Sequence, residues 1–188
     1  MDDLEPYNGW HAFYNSSQDP NSPFYEKVYN YDLYSETIYG YYIDPAWDNI
    51  GSETLFIKVL YANYEQGIVI LEFIGEWNDA LHNDIMVLKR NILEYFISSG
   101  IRKFLLVGEF VMNFHGSDDA YYEEWFEEVE EGWIAALNFR AHVTEEWEKF
   151  NLDEFIVIGQ DLMIDNWRTK PPLQLMRQVE ALVRKRLG

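Results

Sequence analysis

The chain contains no cysteine. That excludes disulfides, thiolate nucleophiles and cysteine-ligated metal centres, and it suits a reducing, cytoplasmic setting. Positive charge is scarce: 14 Lys and Arg stand against 33 Asp and Glu, for a formal net charge of −19. A field of that sign repels nucleic acid and anionic membranes and favours cationic partners. Long hydrophobic runs are also missing. The longest, such as Ile68 to Leu71 and Phe104 to Val107, are strand-sized, well short of the ~20 residues that span a bilayer. The opening Met-Asp-Asp-Leu-Glu-Pro has neither the basic nor the apolar stretch of a secretory signal, so none is expected. Glycine-rich phosphate loops, HExxH and GxSxG are absent too. The commonest routes to nucleotide, metalloprotease and serine-hydrolase chemistry are therefore missing, and no cofactor or metal is expected.

What the chain has in quantity is aromatic rings and acid. Of its 188 residues 48% are hydrophobic and 18% aromatic, with 14 Tyr, 12 Phe and 7 Trp. That length and apolar content suit one domain of ordinary size with a real core. The charge is uneven: −9 over residues 1–54, −15 over 55–167 and +5 over 168–188.

Residues 1–52 read as a tyrosine-rich extension, and 53–188 as an α/β domain. Asn15 to Pro23 has a loop composition, so residues 1–23 are expected to form a flexible or loosely docked arm. Tyr29, Tyr31 and Leu33 alternate, as do Tyr39, Tyr41 and Ile43, which predicts strands or an added hairpin. Strands follow over Glu53–Ala62 and Ile68–Gly75, around a turn at Asn63–Gly67. Asn78 or Asp79 can cap a helix with Leu81, Ile85, Leu88, Ile92 and Phe96 on its inner face, stopped by Gly100. Lys103–Phe110 reads as a buried strand. Ser117 then caps an acidic helix over 118–131, with Tyr122, Trp125, Phe126, Val129 and Trp133 turned inward. Ala135–Val143 is expected as a strand, Glu145–Phe150 as a short helix, and Glu154–Ile158 as the last strand. Pro171 and Pro172 start a final amphipathic helix with a basic side. The alternation predicts a mixed, mostly parallel sheet flanked by helices.

The element order over residues 53–188 resembles the STAS domain of the anti-sigma-factor antagonists. Gly75-Glu76-Trp77-Asn78-Asp79 is similar to that family's strand-to-helix turn. Met112-Asn113-Phe114-His115-Gly116-Ser117 falls where the family has a strand, a loop and a helix start. The resemblance implies a bacterial regulatory protein, with Ser117 or its loop as the regulated position. The Asp-Ser-Ser-Gly motif of that loop is absent here, and Asp118, Asp119 and Glu123 crowd Ser117 with like charge.

Three features can carry function. Glu123, Glu124, Glu127, Glu128 and Glu131 give the acidic helix a face suited to a basic protein, or equally a solvated face. No Lys or Arg lies between Lys103 and Arg140 to pair with it. The second feature is a rim of Glu76, Asp79, Glu109, His115, Ser117, Asp118 and Asp119 at strand ends, where open α/β sheets bind ligands. Such a rim can do acid–base work, bind a small ligand or a cation, or simply cap helices. The third is the tyrosine-rich segment, a platform for a peptide or sugar or a cover for the sheet. The leading expectation is a non-catalytic regulatory or binding protein that meets a basic protein partner, with no nucleic acid and no membrane, and with a homodimer possible. The alternatives are an enzyme or ligand binder using the rim, and a structural oligomer subunit.

Overall fold

The computed structural model describes residues 4–187. A five-stranded sheet lies at its centre, built from β3 (Asp48–Asn49), β4 (Leu55–Asn63), β5 (Ile68–Asn78), β6 (Lys103–His115) and β7 (Trp133–Leu137), in that spatial order. A separate two-stranded hairpin, β1 (Thr37–Ile38) and β2 (Tyr41–Tyr42), precedes it. The fold is α/β with a mixed sheet, but parallel pairing does not dominate. β3–β4 and β4–β5 are antiparallel, while β5–β6 and β6–β7 are parallel.

Both faces of the sheet are covered, so its central strands are apolar nearly throughout. One face carries Leu55, Ile57, Val69, Leu71, Phe104 and Leu106. It packs under one continuous helix of three segments: α2 (Asp84–Leu88), a π-helical turn (Lys89–Leu93) and α3 (Glu94–Ser98). Beside that helix lie α4 (Ala120–Glu128) and α5 (Ala141–Lys149). The other face carries Leu60, Ile70, Leu105 and Val107 under α6 (Pro172–Leu187) and Trp10. A third cluster, Ile38, Ile43, Trp47, Phe56 and Ile74, seats the hairpin on that second face.

Several local expectations change. The helix expected from Asn78 is broken at once. Asn78 caps a single turn, α1 (Asp79–His82), and Asn83 at φ 50° ends it. Leu81 therefore sits 80% exposed, off the core face. Gly75 to Asn78 belong to β5, and Met112 to His115 to β6, so both segments compared with STAS turns lie largely within strands. Ser117 does not cap α4. The helix starts after Asp119, and Asp118 Oδ1 accepts the Ala120 amide at 3.1 Å.

β7 ends at Leu137, and residues 141–143 are the start of α5 and not a strand. Glu154–Ile158 is not a strand either. Val157 alone bridges Ala135, because a short 3-10 turn (Leu152–Glu154) uses the preceding chain. The arm is packed, not loose, over its described part. Trp10 is 3% exposed and its indole donates to the Lys170 carbonyl at 2.9 Å. The Trp47 indole donates to the Leu4 carbonyl at 2.7 Å. Residues 29–33 do not form a strand.

Candidate functional site

The acidic helix has a counter-charge that its own sequence does not show. Lys89, on the neighbouring π-helical turn, has a fully buried side chain. Its Nζ lies 2.9 Å from Glu128, 3.4 Å from Glu124 and 3.6 Å from Glu94. Burial alone would push the Lys89 ammonium down, but Glu128 and Glu124 outweigh it and hold its pKa above the ordinary lysine value. A long aliphatic stem crosses the core boundary and delivers its charge to the acids. Glu123, Glu127 and Glu131 make no ion pair within 4 Å among the described residues and remain exposed. With Phe126, which is 46% exposed, Glu127 and Glu131 line an open groove at the end of α4.

The rim residues fall into three separately bonded groups. In the first, Glu76 on β5 accepts from the Tyr39 hydroxyl at 2.7 Å and from the Asn113 amide at 3.0 Å. His115 lies 3.6 Å away. Burial raises the Glu76 pKa, but these hydrogen bonds prevail and hold it below the usual carboxylate range. Glu76 is thus an ionised carboxylate that ties the hairpin to the sheet.

The second group is buried beneath α1. Asp79 accepts from the Tyr122 hydroxyl at 2.5 Å, the Ile85 amide at 2.8 Å and the Trp77 indole at 3.1 Å. Asp84 accepts from the Ser52 hydroxyl at 2.6 Å and the Asn78 amide at 2.8 Å. Burial pushes Asp79 up to about 7, against the help of its donors, and Asp84 adds like-charge repulsion. Asp84 is raised as well, again chiefly by burial. Two buried carboxylates this well bonded staple a loop to a helix start.

The third group lies on the α6 face. Glu109 accepts from Arg168 at 2.7 Å, the Trp167 indole at 2.6 Å and the Asn138 amide at 2.8 Å. Burial raises it, but Arg168, the Trp167 indole and the Asn138 amide win, and its pKa is lowered. Nearby Glu72 is fully buried and accepts the Tyr7 amide at 2.7 Å, while its other oxygen has no hydrogen-bond partner among the described residues. Arg168 is 3.9 Å from that oxygen. Burial pushes Glu72 up to about 7 despite Tyr7 and Arg168. Ser117 and Asp118 are exposed in the loop before α4. Glu76, Asp79 and Glu109 do not share a cleft.

Charged residues inside the apolar strands carry a signal that pattern reading passed over. Lys58 interrupts Leu55–Leu60, and Glu72 interrupts Ile68–Ile74. They are register partners across β4 and β5, so they occupy the same sheet face. Lys58 is 8% exposed and donates to the Ala46 carbonyl at 3.0 Å, with Nζ 4.1 Å above the Tyr29 ring. Asp48, fully buried, accepts from Lys27 and from the Tyr29 hydroxyl, each at 2.6 Å. A Lys or Glu in a strand that is otherwise apolar on both faces is the cue for such a network, because an unpaired buried charge is costly.

Most of the large exposed hydrophobics among the described residues lie in the tyrosine-rich segment. Tyr25, Val28, Tyr31, Leu33, Tyr34, Tyr39, Tyr41 and Tyr42 are each at least 42% exposed, up to 91% for Val28. Glu26, Asp32 and Glu36 are interspersed with them, and the one cation in the stretch, Lys27, is held by Asp48. Tyr29 and Tyr31 stack at 5.9 Å with planes 8° apart.

Among the described residues, no three His, Asp or Glu side chains come together as a metal site. No helix there is long and apolar enough to cross a membrane. No known protein-family model matches the chain, and no curated protein matches it in sequence.

Proposed function

We propose that this protein is a non-catalytic recognition module whose tyrosine-rich surface docks a basic segment of another protein. The observation that supports it best is the clustering of exposed apolar side chains. Eight of the thirteen large exposed hydrophobics among the described residues lie between Tyr25 and Tyr42. Groups of exposed apolar side chains mark interaction sites, and tyrosine supplies contact area at low entropy cost. Acids among the rings and a net charge of −19 select a cationic partner. Arginine and lysine then gain twice, by ion pairing at the acids and by cation–π contact at the rings.

The acidic helix becomes the secondary contact in this reading. Lys89 already neutralises part of it, leaving Glu123, Glu127 and Glu131 to steer the encounter. A STAS-like regulator in the cytoplasm is one member of the class, supported by the element order alone.

The test compares variants against a partner captured from native lysate. Tyr34→Ser, Tyr41→Ser and Tyr42→Ser together, all exposed, should abolish capture without lowering Tm. Glu123→Lys, Glu127→Lys and Glu131→Lys together should weaken it mainly at low salt. Capture that survives the tyrosine substitutions, or that does not respond to salt, refutes the proposal.

A further inference from the structure

The described arm crosses the sheet face that carries Lys58 and Glu72, and segment Glu5–Asn8 forms the shared wall of two cavities. One is shallow and ends on Arg168. The other encloses about 370 Å³ between the arm and the tyrosine-rich segment, and Lys58 is part of its lining. Charge of both signs meets there. Lys58 supplies the cation, while Asp44 and Glu5 supply anions on other walls. Tyr7 and Tyr31 give it aromatic sides, and His11 lies at its edge on the exposed part of the arm.

Among the described residues, Lys58 is not saturated by its neighbours. Its ammonium has three protons. The Ala46 carbonyl accepts one at 3.0 Å and the Tyr29 ring faces another. Asp48 stands 3.8 Å off, beyond hydrogen-bond reach. Asp44 uses Oδ1 to accept the Ala46 amide at 2.8 Å, and no hydrogen bond to its Oδ2 is found among the described residues. Glu5 is exposed and makes no ion pair within 4 Å among the described residues. Across the strand, Glu72 keeps a buried oxygen without a hydrogen bond among the described residues, so the layer beneath the arm is polar and incompletely satisfied. Burial holds the Lys58 ammonium below the ordinary lysine value, against the pull of Asp48, so a further anionic contact would stabilise it.

We propose that this cavity binds a small zwitterion of the free α-amino acid class, its carboxylate on Lys58, its ammonium on Asp44 and Glu5, and its side chain between Tyr7 and Tyr31. A simple anion meets repulsion from Asp44 and Glu5, and a simple amine meets repulsion from Lys58. Only a ligand with both charges satisfies all walls at once, the usual logic of a mostly apolar site with few convergent polar groups. The cavity shares Tyr31 with the docking surface, but its other walls, Glu5, Tyr7, Asp44 and Lys58, lie outside it, so substitutions at those residues test the cavity alone.

The test is titration of the full chain with the common L-amino acids by saturation-transfer NMR and calorimetry. Each binder is then compared with its decarboxylated amine and its deaminated acid. At least one amino acid should bind saturably with Kd below about 1 mM, and both analogues should be at least about tenfold weaker. Asp44→Asn keeps the carbonyl that accepts the Ala46 amide and should weaken binding by about tenfold or more, because it removes one ion pair. Lys58→Met should do the same. If that variant does not fold, Glu5→Gln replaces it, since Glu5 is exposed. The proposal is overturned if no amino acid saturates by about 10 mM, if either analogue binds as tightly, or if Asp44→Asn binds like the wild type.

Discussion

The Tyr122 hydroxyl donates to Asp79 Oδ2 across 2.5 Å, at a point where neither residue is more than 4% exposed. This contact joins α4 to the start of α1, just past β5, and it sets a pH dependence. Burial raises Asp79 to about 7 from 3.8, so the fold favours its protonated form. For a carboxylate with a raised folded pKa, stability is full below the unfolded value and is lost as pH rises through the folded one. Glu72, also pushed up to about 7, acts in the same direction. The whole-chain negative charge adds to both. Urea denaturation should therefore show greater stability at pH 5 than at pH 8, with Asp79 contributing about 2–3 kcal/mol of the difference, given its pKa of about 7. Asp79→Asn retains the oxygen that serves Ile85 and Trp77 and should flatten that part of the profile. An unchanged slope in the variant would disprove the assignment.

Lys89 should matter more than its place in the sequence suggests. Lys89→Met keeps the buried stem but leaves Glu94, Glu124 and Glu128 without their cation. The expected loss is about 1–2 kcal/mol, because the acids themselves are partly solvated. Adding Glu124→Gln and Glu128→Gln to that variant should recover part of it. A double-mutant cycle with no coupling between position 89 and the two acids would show that the ion cluster contributes nothing.

Gly75 lies inside β5 at φ 113°, and a Cβ there would stand 1.9 Å from the Thr54 carbonyl oxygen. The close approach lets Glu76 donate its amide to Thr54 at 2.9 Å, which aims the Glu76 side chain at the hairpin. Gly75→Ala should cost more than about 3 kcal/mol, because steric overlap adds to backbone strain. Near-wild-type denaturation of this variant would mean that β4 and β5 separate freely at this point.

Trp10 is the anchor of the arm. It packs edge-on against Tyr7 at 5.2 Å and Trp167 at 5.6 Å, and its indole reaches the Lys170 carbonyl. Trp10→Ala should destabilise the fold by about 3–5 kcal/mol, as for other buried aromatics. Hydrogen exchange should then rise across residues 4–23 and at the start of α6. Exchange confined to the arm would show that α6 does not depend on it.

Much of the architecture was already present in the chain itself. The turn after Asn63, Gly100 closing the long helix, Pro172 opening the last one and the apolar strands between them are local signals, set by backbone sterics and side-chain period. They need no partner from elsewhere in the chain, and that is why they could be read. Strand ends were less legible. β5 and β6 run on through Asn78 and His115, their register shifting at Glu72–Ile74 and Gly75–Glu76 while pairing continues past the expected turns. Val157 reaches β7 by one bridge only, a matter of how the chain before it packs.

Charge was the least legible feature, because its meaning depends on residues far apart in sequence. Glu124 and Glu128 looked unpaired until Lys89, more than thirty residues away, came beside them. Glu76, Asp79 and Glu109 looked like one rim. Side-chain alternation along the strands, and the helices over each face, sent them to three environments. Lys58 and Glu72 became neighbours only through antiparallel pairing. Coulomb energy and desolvation depend on distance in space and on what excludes water, and both quantities exist only once the chain has folded.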